Sequence, residues 1–312
     1  MLEKNNKIYD SCNVGLRGLI PSLHTPFKYD GKIDEKSLKR LVDHIIQLGC
    51  SGMLIGAVAG EGPSLTIDER KRLFTIVTEQ NSGAIPLIGG CSADNQKTRI
   101  ELAEIVKRCG IDWALCQIPK IQNEKVLIST MTEIANAGPP NLMIQDLSWN
   151  DEGLEIELID KLFNQIDSFK SLKIEVRNSG QKYTKVLKKT KGKLHVSGGW
   201  AITEMIEALE RGVHALMPST LEEIFLLIID YYNSGKKRDA EKLFKKIRPI
   251  LLFTHQDINV SIYFSKMLRV RENLFETSFS RISENPSQHL KDGEIELYLS
   301  QAISIKQSIN KI

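Results

Sequence analysis

Short apolar runs alternate with longer amphipathic stretches along most of this chain. The runs centre near Ile20 (GLIPSL), Leu54 (GMLIG), Leu87 (IPLIGG), Ala114 (DWALCQI), Met143 (NLMIQ), Leu172 (SLKIEV), Val196 (LHVSGG) and Ala215 (HALMP). Each is short enough for a strand and lacks a clear polar alternation, the pattern of strands covered on both faces. The stretches between them carry helical period. Leu38, Leu41, Val42, Ile45 and Ile46 fall on one stripe between a predicted cap at Asp34 and a stop at Gly49. Thr66 and Glu69 have capping-box spacing ahead of Leu73, Ile76 and Val77. Ile100, Ala103, Ile105 and Val106 repeat the theme before Gly110.

Eight strand–helix units in series predict an α/β fold, a closed parallel (β/α)8 barrel of TIM type rather than an open doubly wound sheet. Beyond Thr220 the pattern is helical, over 221–234, 237–254, 258–274 and 292–310. The first of these closes the barrel and the other three form a C-terminal helical extension. The expected layout is an N-terminal extension over 1–14, a barrel over 15–234 and a helical segment over 235–312. Ser283 to Gln288 (SENPSQ) reads as a polar loop carrying Pro286.

Composition narrows the function classes. A formal charge of +3, from 42 basic and 39 acidic residues, is too balanced for nucleic acid as main partner. The densest basic patch, Lys188, Lys189, Lys191 and Lys193, reads as a solvated helix end. The five cysteines form no CxxC pair and are odd in number, which supports neither a metal site nor a disulfide framework. Buried free thiols in a reducing compartment fit better. The opening MLEKNNKIYDSC has no apolar signal core, and no run of 18 apolar residues occurs. The expected protein is cytoplasmic and makes no membrane contact. His195 and His214 read as core or pore residues, and no cofactor is implied.

Active sites of such barrels lie at the C-terminal ends of the strands. That selects Thr25, Gly60, Glu61, Pro119, Lys120, Gln145, Asp146, Lys173, Glu175, Gly198 and Gly199. Lys173 stands out because it interrupts an apolar strand. A lysine inside a barrel loses hydration, which favours the neutral amine, and a neutral amine can attack a ketone to form an imine. A strand-end lysine is, however, more often a snorkelling or ion-paired group. The loop Ala57 to Pro63 (AVAGEGP) can offer backbone N–H groups to a carboxylate, or be an ordinary glycine turn. Gly198 and Gly199 can admit a ligand close to the backbone, or form a plain turn.

In order and spacing these features resemble the dihydrodipicolinate synthase / N-acetylneuraminate lyase family. The resemblance covers roughly residues 15–220. Its landmarks are Gly15 to Phe27 (GLRGLIPSLHTPF), Asp30 to Asp34 (DGKID) with Leu38 and Leu41, and Gly60 and Glu61 with Leu65, Thr66, Glu69 and Arg70. Lys173, Ile174 and Glu175, and then Gly198, Gly199 and Gly212, complete the set. The resemblance implies a class I reaction in which pyruvate or another 2-keto acid forms an imine with Lys173. It implies substrate contacts at Val58, Ala59, Gly60, Gly198 and Gly199, and a homodimer or homotetramer.

The chain departs from the family pattern where the family has two threonines (here Val58 and Ala59) and a strand-five tyrosine (here Gln145). No tyrosine follows Pro119 either, where the sequence reads Lys120, Ile121 and Gln122. The candidates to replace the missing acid/base or carboxylate partner are Lys120, Gln145, Asp146, Glu175 and Arg177. Two readings stand: an active Schiff-base lyase or aldolase, or a catalytically impaired relative that binds a small metabolite.

Overall fold

The computed structural model describes residues 11–199, 202–282, 290 and 293–309. The Ser283–Gln288 loop and most of the N-terminal extension lie outside the described residues.

Strands and helices alternate as the apolar runs predict. The order is β1 (Gly18–Leu19), α1 (Glu35–Gln47), β2 (Met53–Ile55), α2 (Ile67–Asn81), β3 (Leu87–Gly90), α3 (Gln96–Arg108), β4 (Trp113–Gln117) and α4 (Glu124–Ala137). It continues with β5 (Asn141–Leu147), α5 (Ile156–Gln165), β6 (Phe169–Glu175), α6 (Ser179–Lys189), β7 (His195–Gly198), α7 (Met205–Glu210), β8 (Ala215–Leu216) and α8 (Glu222–Asn233). Then come α9 (Lys237–His255), α10 (Ile258–Arg271) and α11 (Glu294–Ile309). All pairings are parallel, in the order β1-β8-β7-β6-β5-β4-β3-β2, so the sheet curls with its helices outside. The first apolar run yields only a two-residue strand because Pro21 has no N–H for a ladder. Beyond it, Ser22 makes an isolated parallel bridge to Leu54.

The helix ends follow their sequence signals. The Asp34 side chain accepts from the N–H groups of Lys36 and Ser37 at 3.2 Å each. Thr66 and Glu69 form the reciprocal capping box. The four late helices fall close to their expected spans, and α10 stops at Arg271.

Side-chain parity divides the core in two. Ile20, Leu54, Ile88, Trp113, Leu115, Met143, Ala215 and Met217 pack together on the concave side. Alternate residues such as Leu19, Ile55, Ile144, Leu172, Ile174 and Val196 meet the helices outside. Because side chains alternate along a strand, residues two apart share a face. Met143 on the inner side therefore puts Gln145 inside and Asp146 outside, and Leu172 outside puts Lys173 inside.

Candidate active site

Lys173 and Glu175 share the inner face of β6 near its C-terminal end. Lys173 Nζ lies 3.0 Å from Glu175 Oε1, and the two side chains are only 5% and 6% exposed. Gln145 is the register partner of Lys173 on β5, and Ser197 its register partner on β7. The Gln145 Nε2 donates a short hydrogen bond to Glu175 Oε2. The Glu175 carboxylate is thus held between an ammonium and an amide, one oxygen to each. Gly199 completes the fit: a Cβ there would overlap the Glu175 carboxylate.

Lys173, Glu175 and Gln145 line a small cavity of about 40 Å³ with Ser22, Ala57, Val58, Ala59, Leu147 and Trp149. Met217, Ser219, Ile258 and Ser261 close it, so α10 contributes directly to the wall. Of these lining groups, Ser22 Oγ and Gln145 Oε1 are buried and have no hydrogen-bond partner among the described residues. Buried polar atoms are rarely left unsatisfied, so this wall is built to hold water or a polar ligand.

The β2–α2 loop forms one side of the cavity. Among the described residues, the N–H groups of Val58, Ala59 and Gly60 have no protein acceptor. The loop is compact because Thr25 Oγ1 donates to the Gly60 carbonyl at 2.6 Å, Glu61 N–H to the Val58 carbonyl at 2.9 Å and Gly62 N–H to the Ala57 carbonyl at 3.0 Å. A Cβ at Gly60 would come within 2.5 Å of the Leu23 carbonyl oxygen. Glu61 sits in the left-handed region at φ 56°. Its carboxylate is fully buried, pairs with Lys266 of α10 and accepts from Ser280 Oγ and Arg281 N–H at 2.8 Å each. Glu61 therefore fastens the loop to the C-terminal segment.

A second cleft, of about 360 Å³, adjoins the cavity, and Trp149 and Glu175 line both. Its other walls include Arg177, Ser179, Tyr183, Glu204 and His255. Burial lowers the His255 pKa, and the Glu175 carboxylate pulls it the other way. Burial pushes the Tyr183 phenol up. The Tyr183 hydroxyl packs against the outer side of Gly198, where a Cβ would come within 2.8 Å of it.

The structure thus brings together Lys173, Glu175, Gln145, Val58, Ala59 and Gly199. It separates Asp146, Lys120, Arg177 and Gly198 from them. Asp146 faces outward, where its Oδ2 lies 2.5 Å from Lys182 Nζ and its Oδ1 accepts from Leu154 N–H at 3.0 Å. Burial raises its pKa, and Lys182 opposes that. Lys120 is exposed and lines a different cleft, with Arg70, Ser92 and Arg99. Arg177 is exposed on the rim of the second cleft. Gly198 supports the wall from outside. His195 lies deeper, between Ser171 Oγ and the Leu16 carbonyl at 2.6 Å each, with its ring stacked 5.0 Å from His214. Burial, with His214 beside it, drops its pKa to about 3, so it is a neutral core residue.

Sequence reasoning missed Ser22, Trp149, Ile258 and Ser261 of the cavity and His255 of the second cleft. Two-residue parity from Ile20 could have flagged Ser22. Nothing local marks Ile258, Ser261 or His255, which reach the site only through tertiary packing.

Comparisons with known proteins agree with this architecture. A sequence model of the Dihydrodipicolinate synthetase family matches residues 15–271. A 4-hydroxy-tetrahydrodipicolinate synthase of Methanococcus maripaludis is 27% identical over 240 residues, 76% of this chain and 82% of the relative. One of Thermus thermophilus is 36% identical over 125 residues, 39% of this chain; the chain spans 42% of that relative's length. The crystal structure of dihydrodipicolinate synthase from Rhodopseudomonas palustris superposes with a TM-score of 0.82 at 21% identity, over 91% of this chain and 97% of that one. N-acetylneuraminate lyase of Proteus mirabilis gives 0.81 at 18% identity, over 94% and 99%. At these identities the two structures speak to the fold.

Proposed function

The chain belongs to the dihydrodipicolinate synthetase family, and from that premise we propose that it is a Schiff-base-forming lyase or aldolase acting on pyruvate or another 2-keto acid. The observation that carries the proposal is Lys173 Nζ, buried 3.0 Å from a carboxylate in a cavity at the C-terminal end of its strand. We read the curled sheet as a closed barrel, supported by Leu54 N–H donating to the Pro21 carbonyl at 2.9 Å and Leu23 N–H to the Leu54 carbonyl at 2.8 Å. We also propose a cytoplasmic homodimer or homotetramer, consistent with the five free cysteines for the compartment and with the family resemblance for the assembly.

In this reading the keto acid carboxylate lies against the N–H groups of Val58, Ala59 and Gly60. Oriented backbone donors bind anions without a side-chain hydroxyl, so the missing threonines do not abolish the subsite. That places the carbonyl carbon beside Lys173 Nζ. The amine adds to it, the carbonyl oxygen leaves as water, and an imine links lysine to substrate. The imine withdraws electrons from the neighbouring carbon, so a carbon–carbon bond there can be made or broken. An impaired protein that only binds a metabolite is not favoured, because Lys173 keeps a carboxylate within hydrogen-bond reach.

Borohydride trapping tests the proposal. Incubation with pyruvate and sodium borohydride is expected to attach one reduced pyruvate, mapped to Lys173 by mass spectrometry and absent in Lys173→Ala. No adduct with pyruvate or a panel of 2-keto acids would overturn it.

A further inference from the structure

The family resemblance calls for a tyrosine hydroxyl beside the lysine, and Gln145 stands there instead. An amide does not give up and recover a proton at neutral pH, so the proton traffic of imine chemistry needs another carrier. Glu175 is the titratable group that lies closest to hand. Its carboxylate lies in hydrogen-bond contact with the reacting nitrogen, lines the same cavity as the unsatisfied Ser22 and Gln145 oxygens, and faces the second cleft as well. Gly199 leaves it the space it occupies.

We propose that Glu175 is the catalytic proton carrier of this site, doing through a carboxylate what the family's tyrosine does through a phenol, with Gln145 positioning it. The inference rests on the Schiff-base reading above. The steps balance around one proton. Glu175 takes a proton from the Lys173 ammonium, and the free amine adds to the keto carbon. The nitrogen of the adduct passes a proton to its own oxygen, giving a neutral carbinolamine. Glu175 then returns its proton to the carbinolamine hydroxyl, which leaves as water, and a protonated imine remains. The carboxylate next removes a proton from the adjacent carbon, and the enamine forms. When the enamine adds to an aldehyde, Glu175 gives that proton to the new alkoxide; in cleavage the order reverses. A carboxylate 3.0 Å from Nζ can serve both positions, because the imine carbon and its neighbour lie one and two bonds further on.

A simpler role, as counter-ion to Lys173, predicts something different. A counter-ion only positions the lysine, so an amide of the same shape would slow adduct formation and subsequent carbon chemistry together. A proton carrier is needed again after the imine exists.

The experiment uses the full-length chain and pyruvate alone. Exchange of the pyruvate methyl hydrogens in heavy water is followed by proton NMR, and Lys173 adduct by borohydride trapping after long incubation. Wild type is expected to do both. Glu175→Gln is expected to lose methyl exchange about 10²–10⁴-fold, the usual share of an acid/base group, while the trapped adduct still accumulates. Glu175→Ala is expected to regain exchange on addition of formate, a small carboxylate that fits the vacated space. Exchange by Glu175→Gln within about threefold of wild type, or no formate effect in folded Glu175→Ala, would overturn the inference and leave the Schiff-base reading standing. Absence of any wild-type adduct would instead overturn that reading, and this inference with it.

Discussion

The 3.0 Å between Lys173 Nζ and Glu175 Oε1 joins two side chains that are each at least nine-tenths buried. Both are largely removed from bulk water, so each charge is compensated in large part by the other, with Gln145 adding one hydrogen bond to Glu175. Removing one member of such a pair leaves an uncompensated buried charge, typically costing about 3–5 kcal/mol, whereas apolar replacement of both is often neutral. Lys173→Met is therefore expected to lower the urea midpoint markedly. Lys173→Met combined with Glu175→Leu is expected to recover most of the loss. A double variant no more stable than the single would show that the two charges do not depend on each other in this way.

Gly199 gives a second test of the same carboxylate. A methyl group at this position must displace Glu175, since its Cβ would overlap the carboxylate. Gly199→Ala is expected to keep the circular dichroism of the wild type and to slow pyruvate methyl exchange by at least tenfold. Methyl exchange at the wild-type rate would mean that Glu175 can move aside without consequence.

On the outer face of the sheet, Asp146 and Lys182 form a pair that the proposed chemistry does not use, 2.5 Å apart and almost fully buried. Lys182→Met is expected to destabilise by roughly 3–5 kcal/mol, and Asp146→Asn with Lys182→Met by less than the sum of the single changes. Pyruvate trapping on Lys173 is expected to persist in each variant that folds. Loss of trapping in a folded Asp146→Asn protein would place Asp146 in the chemistry after all.

Much of this was readable beforehand, for physical reasons that differ by residue. Lys173 was visible because a charge inside an apolar strand breaks an otherwise uniform pattern. Two-residue parity from Lys173 along β6 would have put Glu175 on the same face, but Glu175 was read only as one of several candidate partners. The choice between Gln145 and Asp146 was not readable, because adjacent residues in a run apolar on both sides carry no mark of which face is inner. Register against β6 settles it, and register is a tertiary fact. Ile258 and Ser261 were hidden for a related reason. Their helical pattern predicts a buried stripe on α10 but not what the stripe covers.

Acid stability provides an independent test of how the β2–α2 loop is fastened. Arg281 binds the Glu69 carboxylate at 2.5 and 2.8 Å, and together with the Thr66 backbone it holds the Glu69 pKa down to about 2. The ordinary value is 4.5, so the ionised form is favoured in the folded state. This contribution is fully present above about pH 4.5 and disappears as the pH falls through about 2. Glu69→Gln is expected to be less stable than wild type at pH 7, with the difference closing between pH 4.5 and 2. A difference that stays constant over that range would show that the ion pair is not its source.

The carboxylate subsite can be tested by restoring what the chain lacks. Val58 lines the Lys173 cavity and is half-buried. Val58→Thr keeps the branched shape at Cβ and adds one hydroxyl donor next to N–H groups that have no acceptor among the described residues. A hydrogen bond to a charged group contributes about 1.5–3 kcal/mol, and each 1.4 kcal/mol is tenfold in affinity. Half-saturation of borohydride trapping by pyruvate is therefore expected to fall about tenfold in Val58→Thr. Methyl exchange at saturating pyruvate should change little, because the new contact is made equally before and after the proton moves. An unchanged half-saturation would mean that the carboxylate binds away from this loop. An altered exchange rate at saturation would mean that the hydroxyl has entered the proton path assigned to Glu175.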